Sequence, residues 1–136
     1  MICYKKIRQY KYQLVSDYHL QIYFHSRHNI KTPYIRLFSD GILIIKDGYA
    51  WDGATWYPDT KKITRGSLVH DALYQLIRLD LLANSYRVHA DKLLQQICIE
   101  DGTNKILSAV IFKAVNLFGY NAANEKQEDT KIYIAP

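Results

Sequence analysis

The sequence predicts an α+β fold, in which a small N-terminal antiparallel β-sheet made of two hairpins is followed by three helices. Two observations predict it. Residues 8–46 alternate polar and apolar side chains and are rich in tyrosine and β-branched types, which is the period of half-buried strands. After residue 64 the apolar period changes to that of amphipathic helices. The length of 136 residues suits one domain with one core.

The alternating segment predicts four antiparallel strands, at residues 8–15, 18–24, 34–38 and 42–46. Ser16-Asp17 stands where the turn of a first hairpin would be. Asp40-Gly41 is a stronger turn signal for a second hairpin, because glycine readily adopts the positive φ that such turns need. One face of this sheet would pack on a core and the other would stay solvated.

Residues 47–64 predict a structured loop. The segment contains two Asp-Gly pairs and a proline, which punctuate regular structure. Its aromatic side chains, Trp51 among them, would anchor it, and Asp52-Gly53 would form a turn within it.

Three helices are predicted within residues 65–119. The first covers about 65–79 and the second about 85–99, where Gly102 stops it. The third lies in "NKILSAVIFKAVNLFG" and would end at Gly119. It is apolar over most of its circumference, which predicts a place at the centre of the packing. Residues 120–136 are predicted to be a polar tail.

Three polar residues on the first predicted helix mark a candidate site. His70, Asp71 and Tyr74 are spaced so that they adjoin on one flank. Helical side chains lean toward the N-terminus, so the group would point toward the loop and Asp52. On the second helix, Asp91 would face His70 if the two helices pack antiparallel.

Such a set suits hydrolysis. His70 could take a proton from water, with Asp91 orienting its ring. Asp71, with Asp52 and loop carbonyls, could hold a hard cation such as calcium, which stabilises an oxyanion. Tyr74 could fix a carboxylate by donating to it. The same residues also suit a structural polar network, in which Arg87 pairs with Asp91 one turn away.

The net charge of +5 is unevenly placed, and it indicates either a polyanionic partner or a role in solubility alone. Anionic lipid surfaces and nucleic acid both fit. The tyrosines interleaved with these charges could stack bases. The basic residues are Lys5, Lys6, Arg8, Lys11, Arg27, Lys31, Arg36, Lys61, Lys62 and Arg65, and the tyrosines are Tyr4, Tyr10, Tyr12, Tyr18, Tyr23 and Tyr34. His19, His25 and His28 cluster in sequence, but no cysteine pair supports a zinc site there.

The remaining signals concern compartment. No signal peptide is visible, because charges interrupt the N-terminus before an apolar run develops. The stretch "ILSAVIFKAV" is too short for a bilayer span, which takes about 20 residues. Cys3 and Cys98 are predicted to be free, buried or half-buried thiols. These features predict a soluble protein of a reducing compartment.

The motifs "GYAWDGAT", "VHDALYQLIR" and "RVHAD", in this order, resemble those of a phage and prophage family catalogued as domain of unknown function 1353. The resemblance covers roughly residues 8–120, including "KYQLVSDY" and "TPYIRLFSDG". It implies a phage origin and a place in the host cytoplasm or in the virion, without an activity. A phage protein of this size could also be a virion component, or an inhibitor that binds a host protein.

A second, local resemblance concerns His-Asp-x-x-Tyr followed by Ala-Asp. It is similar to secretory phospholipase A(2) and its compact viral relatives. The resemblance implies that His70 is the general base, that Asp71 binds calcium and that Asp91 orients His70, with Tyr74 in support. The calcium loop would correspond to Gly48 through Thr55. The disulfide framework of those enzymes is missing here, and they have no sheet in front of the helix.

Overall fold

A computed structural model describes residues 1–7, 12–24, 26–54 and 60–124 of the chain. The described residues form two compact units, one reaching Asp52 and the other starting at Gly53. The first unit contains the strands and the second the helices, which confirms the α+β class. Four parts of the sequence discussed above lie outside the described residues: the beginning of the first predicted strand, His25, loop residues 55–59 and the tail from residue 125.

Seven strands are present in the described part of the first unit. They are β1 (Tyr4–Lys6), β2 (Tyr12–Leu14), β3 (Tyr18–Gln21), β4 (Ile30–Lys31), β5 (Ile35–Leu37), β6 (Ile42–Ile45) and β7 (Ala50–Trp51). All their pairings are antiparallel, in a three-stranded sheet of order β1-β2-β7 and a four-stranded sheet of order β3-β6-β5-β4.

Aromatic side chains hold the three-stranded sheet together. Tyr12 and Trp51 are register partners on β2 and β7, and their ring centroids lie 5.3 Å apart. Tyr4 packs edge-on against Tyr12 at 5.0 Å. Trp51 is 2% exposed, so it anchors β7 in this sheet.

The predicted hairpin around Asp40-Gly41 is confirmed as the β5–β6 pair. Its register places Leu37 opposite Leu43, and both side chains are fully buried. Phe38 N–H donates to the Ile42 carbonyl, which leaves a three-residue loop ending at Gly41. Gly41 has φ +89°, the left-handed conformation that closes such loops.

The other predicted hairpin is wrong, because β2 and β3 belong to different sheets. The segment between them is held elsewhere: the Asp17 carboxylate accepts from Lys46 Nζ at 2.6 Å and from the Asp47 backbone N–H at 2.8 Å. The hydrogen bond from Lys46, followed by that from the Asp47 backbone, lowers the pKa of Asp17. Alternation correctly indicated strands but carried no information on which strands pair.

The second unit contains three helices in its described residues: α1 (Lys61–Arg78), α2 (Arg87–Glu100) and α3 (Lys105–Asn124). A 3-10 turn, Asn84–Tyr86, precedes α2. Helix α1 begins earlier than predicted because Ile63, 1% exposed, adds one more buried turn. None of the described helices combines the length and hydropathy that crossing a bilayer requires.

Two helix ends were predicted from glycine residues; the one at Gly102 is confirmed and the one at Gly119 is wrong. Gly102 has φ +103° just after α2, and the Thr103 N–H returns to the Cys98 carbonyl at 2.9 Å, as in a Schellman motif. Gly119 does not end α3, which continues to Asn124. Asn104 starts α3, because its Oδ1 accepts from the Leu107 N–H at 2.7 Å.

Helix α1 is the buried helix of this unit, contrary to the prediction for the third helix. Its side chains are buried along most of its length, whereas α3 leaves an apolar face exposed. Helices α1 and α2 approach closely at Gly66, where a Cβ would meet Leu94 Cδ1 at 2.8 Å and Cys98 Sγ at 3.2 Å. The core around this approach consists of Ala54, Ile63, Leu94, Cys98, Ile111 and Val115.

Candidate polar site on helices α1 and α2

The middle of α1 and the beginning of α2 carry the candidate site. Contacts run from Arg65–Asp101 near one end to Tyr74–Asp91 near the other, so the two helices are antiparallel. This arrangement brings His70 and Asp91 together, as the sequence led us to expect. The side chain of Asp91 is fully buried, and that of His70 is 5% exposed.

One oxygen of Asp91 organises the site. Its Oδ1 lies 2.7 Å from His70 Nε2 and accepts from the Tyr74 hydroxyl at 2.6 Å. An ionised carboxylate can only accept, so Nε2 carries a proton, and Nδ1 is the ring nitrogen on the side of Asp71. The His70 and Tyr74 rings also pack together, with centroids 4.0 Å apart.

The other oxygen of Asp91 has a weaker partner. Oδ2 lies 3.6 Å from Arg87 Nη1, and in the described part of the chain it has no hydrogen bond. Arg87 donates to the Asn116 carbonyl at 3.1 Å and lies 3.3 Å from its side-chain oxygen. Arg87 therefore compensates the buried charge of Asp91 and ties α2 to α3.

Asp71 stands on the open side of the site. Its Oδ1 lies 3.9 Å from His70 Nδ1, within ion-pair distance, and Asp71 also acts on His70 through a side-chain hydrogen bond. Its side chain is 30% exposed, the most open of the group on α1. Nδ1 of His70 consequently lies toward Asp71, the part of the site that reaches solvent.

Opposing effects set the titration of His70. Burial is the largest and lowers its pKa, but the hydrogen bonds and charges of Asp71 and Asp91 together outweigh burial, so the pKa is raised. Burial, reinforced by Asp91, raises the pKa of Tyr74. Tyr74 therefore stays protonated and keeps donating to Asp91, and His70 is a stronger base than free imidazole.

The remaining predicted site residues lie at the end of the first unit and the start of the second. Trp51 is buried in β7, and Asp52, which immediately precedes the second unit in sequence, is exposed. Gly53 has φ +77°, in keeping with a turn. Thr55 and the rest of the loop to residue 59 lie outside the described residues, so the candidate calcium loop is described only in part.

No metal cluster is formed by the side chains that the structure describes: no group of three or more His, Cys, Asp or Glu residues could hold an ion. Calcium takes about six to eight oxygen ligands, several of them backbone carbonyls. The described residues place the Asp71 carboxylate near His70 Nδ1. Calcium binding by Asp71 and Asp52 stays a prediction.

Sequence reasoning missed two groups that hold the site in place. Asn116 is 29 residues from Arg87, and no local signal pairs them. Arg65 binds Asp101 through Nε at 3.0 Å and Glu100 through Nη2 at 2.9 Å, fastening the far ends of α1 and α2. The sequence predicts Arg65 only as part of a basic cluster, whereas these two ion pairs compensate its charge.

Most of the described tyrosines that were predicted to stack nucleic-acid bases are too buried to do so. Tyr12 and Tyr18 are 6% and 7% exposed, and Tyr4 and Tyr34 are half-buried. Tyr23 is 55% exposed and could present its ring to a base. The other described tyrosines of that set contribute to packing, as strand tyrosines commonly do.

Fold and site together define an α+β protein with a buried histidine–aspartate–tyrosine network joining two antiparallel helices. No family model matches the chain, and no curated protein and no solved structure matches it either. The resemblances to the phage family and to phospholipase A(2) therefore stay predictions.

Proposed function

We propose that the protein is a hydrolase in which His70 is the general base. The observation that carries the proposal is the double acceptance by Asp91 Oδ1, from His70 Nε2 and from the Tyr74 hydroxyl. It fixes the ring and its tautomer, and it leaves Nδ1 beside the partly exposed Asp71. A base oriented by a buried carboxylate is what water-activating enzymes require.

The chemistry follows from these positions. Nδ1 of neutral His70 takes a proton from water, and the resulting hydroxide attacks the carbonyl carbon of an ester. The imidazolium is stabilised by Asp91 and Asp71, and Tyr74 holds Asp91 in place. When the tetrahedral intermediate collapses, the ester C–O bond breaks and the alcohol leaves with the proton from His70. An ester of a phospholipid is the substrate class that the local resemblance supports.

The proposal depends on His70 and Asp91 and does not require calcium, which the experiment therefore tests separately. Asp71 is the described carboxylate that the ion would use, and the ion would polarise the ester carbonyl.

Fatty-acid release from mixed phosphatidylcholine–phosphatidylglycerol vesicles tests the proposal, with calcium and with chelator. Wild type should release fatty acid, and His70→Gln and Asp91→Asn should lose at least about a hundredfold in rate, the scale of general-base catalysis. His89→Gln is the matched control, because His89 is exposed on α2. A wild type inactive under both conditions would contradict the proposal, as would an equal loss in His89→Gln.

A second candidate is favoured by burial. The side chains of His70 and Asp91 are 5% and 0% exposed, and such networks can serve to specify a fold. The protein would then be a non-enzymatic phage component, either of the virion or binding a host protein. This alternative expects no release by wild type together with a clear loss of stability in His70→Gln, measured by urea unfolding.

A further inference from the structure

Helix α3 has apolar side chains on two opposite faces. Ile111 and Val115 are 0% and 1% exposed and belong to the core. On the other side Ile106, Val110 and Leu117 are 81%, 49% and 71% exposed. Their spacing of four and seven residues places them in one row along the helix. Packing among the described residues of the unit therefore accounts for one apolar face of α3 and leaves the other exposed.

Positive charge accompanies this exposed row. Lys113 lies in the row between Val110 and Leu117, and Lys105 precedes Ile106. Residues 105–117 contain no acidic side chain. Lys105, Ile106, Ala109, Val110 and Lys113 line a shallow depression of about 430 Å³.

We propose that the α3 docking face, formed by Lys105, Ile106, Val110, Lys113 and Leu117, binds an anionic lipid surface. The helix would lie in the plane of the interface. Its aliphatic side chains would enter the boundary between headgroups and acyl chains. The lysines would extend to the lipid phosphates, with their methylene stems along the apolar layer.

A lipid surface fits this face better than a folded protein does. Stable protein interfaces use about 20–30 residues on each side, and the α3 docking face is a single narrow row. A lipid surface needs only a few apolar anchors and nearby cations, and an anionic one is complementary to the lysines. The proposal is independent of the proposed hydrolysis, because docking requires no turnover.

Vesicle co-sedimentation tests the docking face, with phosphatidylcholine vesicles and with vesicles containing phosphatidylglycerol, at low and high salt. The wild type should bind the anionic vesicles more tightly, and high salt should weaken that binding. Lys105→Gln with Lys113→Gln should weaken binding about 30-fold. Ile106→Gln with Leu117→Gln should weaken binding to anionic vesicles at least tenfold, and high salt should not abolish the difference from wild type.

Leu81→Gln with Val88→Gln is the matched control, because these aliphatic side chains are 46% and 37% exposed outside the face. It should bind like wild type, with circular dichroism showing that all variants fold. Equal binding by every variant, or no preference of wild type for anionic vesicles, would overturn the proposal. A dimer interface is the other outcome that would overturn it. In that case the wild type would not bind vesicles, sedimentation equilibrium would show a dimer, and Ile106→Gln with Leu117→Gln would dissociate that dimer, because a second copy of the chain would cover the face. Vesicle binding is measured without turnover, so a failed hydrolase test leaves this proposal standing.

Discussion

His70 on α1 and Asp91 on α2 meet across 2.7 Å, and the carboxylate in this pair is completely shielded from solvent. A buried charge is costly unless it is paired and hydrogen-bonded. Here the ring, the Tyr74 hydroxyl and the nearby Arg87 provide that compensation. The pair therefore couples the alignment of the two helices to the protonation of one histidine, and each part of this coupling can be measured.

Asp91→Asn should lower the pKa of His70 below its wild-type value. Burial lowers the pKa of His70, and the Asp71 and Asp91 carboxylates raise it. Once the charge at position 91 is removed, Asp71 is the carboxylate that still raises this pKa. Titration of the His70 ring protons by NMR, in wild type and in Asp91→Asn, would show the shift. An unaltered His70 pKa would mean that Asp91 does not control the ring.

Tyr74→Phe should lower the free energy of unfolding by about 1.5–3 kcal/mol, the scale of a hydrogen bond to a charged group. The hydroxyl is lost while the ring keeps its packing against His70. Urea unfolding measures the change. Tyr23→Phe, at a position 55% exposed, is the control and should stay within about 0.5 kcal/mol of wild type.

The contribution of His70 to stability should decline as pH rises. Its pKa is raised on folding, so the stabilisation is fully present below the unfolded value of about 6.5 and disappears as pH passes the folded value. The difference in unfolding free energy between wild type and His70→Gln, measured in urea from about pH 5.5 upward, should therefore shrink. A difference that grows with pH would show that burial dominates and that folding lowers the pKa.

The two thiols should react very differently. Cys3 is exposed, whereas Cys98 is buried in the core, and burial raises the pKa of the Cys98 thiol to about 12. In a thiol-titration assay the folded protein should show one fast thiol and the unfolded protein two. Cys3→Ser should remove the fast one. Two fast thiols in the folded state would contradict the burial of Cys98.

Gly66→Ala should destabilise the second unit. The added Cβ would meet Leu94 Cδ1 at 2.8 Å, and Leu94 is fully buried and has little room to move. Overpacking costs about 1–3 kcal/mol, and the gain in helix propensity returns about 1 kcal/mol. We expect a net loss of about 1 kcal/mol in urea unfolding. Lys61→Ala, exposed on the same helix, should have a much smaller effect.

Local patterns in the sequence were sufficient to predict several features of the fold and of the candidate site. Period-2 alternation and the later helical period gave the α+β class, because each reports which face of an element is buried. Asp40-Gly41 and Gly102 marked a hairpin and a helix end, because positive φ is a requirement of the single residue. The spacing of His70 and Tyr74 placed both on one flank of α1, where a common partner could reach them.

Tertiary structure alone decided which elements meet and how deeply they lie. It separated β2 from β3, buried α1 more completely than α3, and joined Arg87 to Asn116. These outcomes depend on contacts between residues far apart in the chain, and a periodic pattern shows that a face is apolar without showing what covers it. The sequence placed His70 beside Asp71 and Tyr74 on one flank of a helix, but the near-complete burial of His70 and the exposed apolar face of α3 follow from packing among the described residues of the second unit.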